Sequence, residues 1–208
     1  MAEQIENRRP IASRSSGWAR SAAAALARAN VTPNTVSSAS VLFAALGAGL
    51  LLAWPSVAAL FVCAACVQAR LVCNLLDGMI AVEGGKKTPL GPLYNEFPDR
   101  LADTLFIVAL GYRCGLPEWG WFGALAAALT AYVRVFGGTL GLAQDFRGPM
   151  AKQHRMASLT VACLAGALEA LLTGTRYVLI AGCLVIAIGS AVTCATRTLA
   201  IARQLRAR

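Results

Sequence analysis

The chain has 208 residues, 57% apolar and 14% charged, with a formal net charge of +9. Soluble domains average about 45–50% apolar and about 25% charged residues, so an ordinary water-soluble domain is excluded and an integral membrane protein is expected. An open sheet cannot span lipid with unpaired strand edges, which leaves an all-α membrane bundle as the fold class.

Residues 1–16 are polar and basic, without the apolar stretch and cleavage pattern of a signal peptide. Residues 17–29, GWARSAAAALARA, predict an Ala-rich helix with Trp18 near its start and Arg20 and Arg28 beyond it. Such a segment suits an interfacial helix on the cytoplasmic surface, or an ordinary membrane-proximal helix. Pro33 in VTPNT breaks it, and Asn34, Thr35 or Ser37 is expected to cap the next helix.

Six windows then have the length and apolar content of a membrane span: 36–54, 56–76, 99–116, 120–141, 156–174 and 177–197. The third is short and begins with acids. Between them lie a Gly/Pro-rich loop at 84–92, short turns at 115–119 and 173–176, and a longer loop at 141–155. The expected organisation is a cytoplasmic segment with a juxtamembrane helix (1–35), a six-helix transmembrane domain (36–197) and a basic tail (198–208).

Lys and Arg alternate with the spans. Arg8, Arg9, Arg14, Arg20 and Arg28 precede the first; Lys86, Lys87 and Arg100 follow the second; Arg147, Lys152 and Arg155 follow the fourth; Arg197, Arg203, Arg206 and Arg208 follow the sixth. The other side has only Arg113 and Arg176. The positive-inside rule puts both termini in the cytoplasm and the protein in the cytoplasmic (inner) membrane. This distribution and anionic headgroups account for the net charge, so no nucleic-acid partner is expected. The seven Cys fall nearly all within apolar windows. Cys63 and Cys66 have redox spacing, but buried Cys acts as a small hydrophobe, and packing is the favoured reading.

Five of the ten acids, Asp77, Glu83, Glu96, Asp99 and Asp103, fall within residues 74–103. Asn74 and Asp77 are spaced i,i+3, and Asn95, Asp99 and Asp103 are spaced i,i+4,i+8, so each set shares one helix face. Two antiparallel helices joined by the 84–92 loop would bring these faces together. Each acid at a helix centre costs about 2.5–3.5 kcal/mol on the insertion scale, and clustered carboxylates repel. A hard divalent ion bound by oxygens would compensate. Pairing with Arg70 and Arg100 would do so as well.

The stretch resembles the CDP-alcohol phosphotransferase (CDP-alcohol phosphatidyltransferase) family. That family carries Asp-x-x-Asp-Gly-x-x-Ala-Arg, eight residues, then Gly-x-x-x-Asp-x-x-x-Asp. Here the same spacing reads Asn74-x-x-Asp77-Gly78-x-x-Ala81-Val82, eight residues, Gly91-x-x-x-Asn95-x-x-x-Asp99. The Pro-Asn of VTPNT is similar to a family feature ahead of the first span. The resemblance implies six helices with the motif joining the second and third, and a metal site of one or two Mg²⁺ or Mn²⁺ ions. The ligands it implies are Asn74, Asp77, Asn95 and Asp99, with Asp99 as general base on the acceptor hydroxyl. Gly78, Ala81 and Gly91 would admit the donor nucleotide, although small residues also serve helix packing.

The sequence departs from the pattern at Asn74, Asn95 and Val82. Asn offers a metal a carbonyl oxygen but no charge. Two dications balance four carboxylates, so two Asn leave an excess of about two positive charges unless Glu83, Glu96 or Asp103 joins. A two-metal site with rearranged ligands, a one-metal site and a degenerate site are the three readings. Arg134 lies inside a span, facing a cavity, a phosphate or a partner carboxylate such as Asp103. With Lys152 and Arg155 it could hold an anionic acceptor, although those two also obey the positive-inside rule. His154, the one His, is expected to be solvated.

The expected function is transfer of a phosphatidyl group from a CDP-linked lipid, CDP-diacylglycerol foremost, to an alcohol with release of CMP. The partners implied are membrane lipids, that donor, an alcohol acceptor and a second copy in a homodimer. The alternative is a catalytically degenerate relative that binds lipid or nucleotide or stabilises a partner. A small transporter has less support, since few polar residues besides Glu169 fall in the outer half of the spans.

Overall fold

The computed structural model describes residues 16–82, 84–86 and 88–208, all helical apart from short connections. Seven helices follow in order among these residues: α1 Gly17–Arg28, α2 Pro33–Ala53, α3 Val57–Val82, α4 Gly91–Cys114, α5 Pro117–Thr139, α6 Lys152–Thr173 and α7 Tyr177–Arg206. Five of them, α2, α3, α5, α6 and α7, are long and apolar enough to cross a membrane. Helix α4, which covers all but the last two residues of the expected 99–116 span, is not among them, and Asp99, Arg100, Asp103 and Arg113 within it are the reason.

Several boundaries differ from the sequence expectation. Thr32, not Asn34, Thr35 or Ser37, caps α2: its side chain accepts a hydrogen bond from the Thr35 N–H at 3.2 Å. Pro33 begins the helix instead of ending one, because at the first helical position its missing N–H costs nothing and its φ is already helical. Helix α3 continues past 76 to Val82, so Asn74, Asp77, Gly78 and Ala81 are all helical. The 141–155 loop ends at Ala151, and Lys152, His154 and Arg155 belong to the first turn of α6.

Helix α2 packs against both α3 and α4, α3 against α6, α6 against α7, α5 against α4 and α7, and α4 also against α7. The apolar core between them is built from Ala, Cys and Leu with Phe106, Ile107, Met156 and Ile186. Such small side chains let helices approach closely where lipid offers no hydrophobic drive for association. The α4–α5 crossing is one tight case: a Cβ at Gly111 would sit 2.6 Å from the Gly120 Cα. Large apolar side chains on the outside, among them Leu42, Val161, Leu172 and Leu125, remain exposed, as a lipid-facing surface requires.

Six cysteines are buried and all seven are free. Cys63 meets Cys163 across α3–α6, and Cys114 meets Cys183 across α4–α7. Helix α1 lies on α3, burying Ala19 and Ala23 against Leu76, Met79 and Ile80. Lys86, just past α3, holds the end of α1 through the Ala27 carbonyl (2.7 Å) and Asn30 Oδ1 (3.2 Å). Arg8, Arg9, Arg14, Glu83 and Lys87 lie outside the described residues.

Candidate functional site

The polar residues gather at one end of the bundle, where the C-terminal halves of α3 and α5 meet the N-terminal halves of α2, α4 and α6. Consecutive in sequence, α3 and α4 are not among the closely packed helix pairs. Side chains bridge them instead. Arg70 of α3 is fully buried; its Nη2 reaches Asp99 Oδ1 at 3.1 Å, the Asp99 carbonyl at 3.2 Å and Asp103 Oδ1 at 2.8 Å. One turn on, Asn74 Nδ2 donates to Asp99 Oδ1 at 3.0 Å. A carboxylate at position 74 could not donate this bond and would repel Asp99.

The other Asp99 oxygen faces Lys152 from α6, whose Nζ pairs with Oδ2, and Arg100, whose Nη2 lies 3.7 Å away. Asp103 is shared between two guanidinium groups: Arg70, and Arg155, whose Nη2 donates to Asp103 Oδ2 at 2.8 Å. Arg155 also donates to the Met150 carbonyl at 2.8 Å and is only 1% exposed. Arg134 pairs with Glu96, not with Asp103; it donates to Gln144 Oε1 at 2.7 Å and lies over the Phe146 ring. Asp77 stands apart. Ser37 Oγ of α2 donates to its Oδ2 at 2.6 Å, and it makes no ion pair among the described residues.

The 140–151 connection is strapped over this end. Met150 N donates to Thr193 Oγ1 at 2.8 Å, and Arg197 donates to the carbonyls of Arg147 and Thr130, each at 2.8 Å. Gly148 has φ +124° against Thr193, a conformation and closeness that exclude a side chain. Arg147 hydrogen-bonds Asp145 and holds its carboxyl below the usual carboxylate range.

The structure therefore brings Asn74, Asp77, Asp99, Asp103, Glu96, Arg134, Lys152 and Arg155 to one end. Gly78, Ala81 and Gly91 are half-buried nearby in sequence, Asn95 is exposed, and His154 is exposed with Nδ1 2.9 Å from the Pro149 carbonyl. All three proposed acceptor cations pair with carboxylates: Arg134 with Glu96, Lys152 with Asp99 and Arg155 with Asp103. Arg70, which the sequence offered with Arg100 as a counter-charge for the acids, stands at the centre of the site, paired with both Asp99 and Asp103. It lies inside an apolar window as Arg134 does, and it precedes Asn74 by one helical turn. That signal was available.

The divalent site implied by the family resemblance can be tested against these donors. Mg²⁺ and Mn²⁺ take several oxygen ligands turned toward one point. No group of three or more His, Cys, Asp or Glu converges in this way among the described residues. Both Asp99 oxygens are engaged by protein cations and Asn74, and Asp103 lies between two Arg. Glu96, a candidate replacement ligand, holds Arg134. Asp77 makes no ion pair among the described residues. The described donor set does not fit two divalent ions, nor the ligand shell of one.

No protein-family model matches the chain, and no curated protein matches it by sequence. Solved structures do match in fold. Phosphatidylinositol phosphate synthase of Mycobacterium tuberculosis with CDP-DAG bound is 22% identical, with a TM-score of 0.72 over 88% of this chain and 92% of that one. The same synthase in complex with manganese and citrate is 22% identical, with a TM-score of 0.73 over 88% of each chain. The chain is thus similar in architecture to that synthase along most of its length.

Proposed function

We propose that this chain is a membrane-embedded transferase that moves a phosphatidyl group from a CDP-linked lipid, CDP-diacylglycerol foremost, to an alcohol and releases CMP. In this reading α4 crosses as the third of six spans, its charges buried within the bundle, and the charged end faces the cytoplasm. The observation that carries the reading is the Asp99 site. A carboxylate at the fourth position of the family motif spacing sits 10% exposed at the charged end, ringed by basic groups suited to phosphate oxygens.

The chemistry follows from those groups. Asp99 Oδ2 takes the proton of the acceptor hydroxyl. The hydroxyl oxygen bonds to the β-phosphorus of the donor. The bond from that phosphorus to the bridging oxygen breaks, and CMP leaves with the electron pair. Positioning and a preorganised positive field supply most of the rate. Gly78, Ala81 and Gly91 line the approach of the nucleotide in this reading, and Lys152 and Arg100 meet its phosphates.

One observation favours a second reading, binding without turnover: at rest Asp99 has no oxygen free of a partner. The two are separated by measuring CMP release from CDP-diacylglycerol by the purified chain across a panel of alcohols. Release that depends on an alcohol supports transfer. Binding of the donor with no release under any acceptor supports the second reading.

A further inference from the structure

The cluster is already charge-compensated by its own side chains. Asp77, Glu96, Asp99 and Asp103 are outnumbered by Arg70, Arg100, Arg134, Lys152 and Arg155. Divalent ions added to this set would leave a large positive excess in a poorly hydrated site, which is strongly disfavoured. Asn74 fits the same logic, since its amide ties Asp99 where a carboxylate would push it away. The basic groups also divide by access. Arg70 and Arg155 are 0% and 1% exposed at the side chain, whereas Lys152 and Arg100 are 22% and 24% exposed and converge on one oxygen, Asp99 Oδ2. Behind them, Arg70 Nε and Nη1 are buried without a hydrogen-bond partner among the described residues.

We propose that Lys152, flanked by Arg100 and backed by Arg70, is the built-in cation that receives the diphosphate of a nucleotide-linked lipid in place of divalent metal, and that its departure from Asp99 uncovers the base. This rests on the transferase reading above. A lysine suits the exchange: its ammonium is a compact charge on a flexible four-carbon stem, with three donors that can turn from a carboxylate to phosphate oxygens. Ligand binding and base exposure then become one event, because the cation that pairs most closely with Asp99 Oδ2 at rest is the group the diphosphate draws away. Arg70 and Asn74 stay on Oδ1 and keep the carboxylate oriented, while Oδ2 loses its hydrogen bond and keeps only the longer approach of Arg100.

The test uses the full chain in lipid nanodiscs, with CDP-diacylglycerol binding measured in EDTA and in Mn²⁺, and Mn²⁺ binding followed directly by electron paramagnetic resonance. CDP and inorganic phosphate are run as separate ligands to distinguish the nucleotide diphosphate from phosphate alone. The expected result is donor binding unchanged by EDTA, no stoichiometric Mn²⁺ signal, and affinity weakened about tenfold or more in Lys152→Met but retained in Lys152→Arg. Loss of donor binding in EDTA with recovery in Mn²⁺ overturns the inference and leaves the transferase reading standing. Full affinity in a folded Lys152→Met also overturns it. Absence of donor binding in both EDTA and Mn²⁺ overturns the inference together with the reading beneath it.

Discussion

The two ends of the bundle solve the same problem in different ways. At the turn end the chain reverses at 54–56, 115–116 and 174–176, and the Ser56 and Glu169 side chains there close the starts of helices. Gly115 and Gly174 adopt left-handed backbone at the ends of α4 and α6, and Glu169 accepts from the N–H groups of Tyr177 and Val178 at 2.8 Å, capping α7. Glu169, the residue that a transporter reading would have used, is thus spent on backbone. At the charged end the polar groups are spent on one another across five helices, and their pairings leave Lys152 and Arg100 near the surface. Polar residues that serve local backbone are structural, whereas polar residues that pair across helices and keep a partly open edge make a candidate site.

Perturbing the two ends should therefore give different signatures. The largest effect is expected from Asp99→Asn, which keeps the shape but removes the base: CMP release should fall about 10²–10⁴-fold, the range for loss of a general base, in protein that circular dichroism shows to be folded. Retained release would break the contrast. Asp103→Ala should act on stability. It strands Arg155 as a buried charge with no carboxylate partner and leaves Arg70 with Asp99 alone, a loss of about 3–5 kcal/mol readable by denaturant unfolding in detergent. Gly111→Ala, in the α4–α5 crossing, places a methyl against the Gly120 backbone and should cost about 1–3 kcal/mol, lowering the melting temperature with little change in CMP release per folded molecule. The smallest effect is expected from Glu96→Gln. Its side chain is 32% exposed beside Arg134, so solvent screening limits the loss to about 0.2–1 kcal/mol. A larger drop would mean that the Arg134 anchor holds the 140–151 strap more tightly than its exposure implies.

Much of the architecture was legible in the sequence because lipid imposes simple rules on length and composition. The apolar windows correspond to helices, and the i,i+3 and i,i+4 spacings place Asn74, Asp77, Asp99 and Asp103 at one end. The boundaries were less legible. Pro33 reads as a breaker until Thr32 is seen to cap it, and α4 begins at Gly91, well ahead of the 99–116 window. The partners were the least legible. Spacing puts carboxylates on a face, but whether Asp99 meets a metal, Arg70 or Lys152 depends on how far apart α3 and α4 stand and which rotamers bridge them. Here the gap is wide enough for Arg70 and Asn74 to cross it, and that distance is not written in any local pattern.

Alcohol-dependent CMP release by the purified chain tests the central claim most directly. Wild-type protein given CDP-diacylglycerol and an accepted alcohol should release CMP in step with formation of a phosphodiester lipid, and the Asp99→Asn protein should not. Wild-type protein that is folded and binds the donor, yet releases no CMP with any alcohol in the panel, would contradict the account.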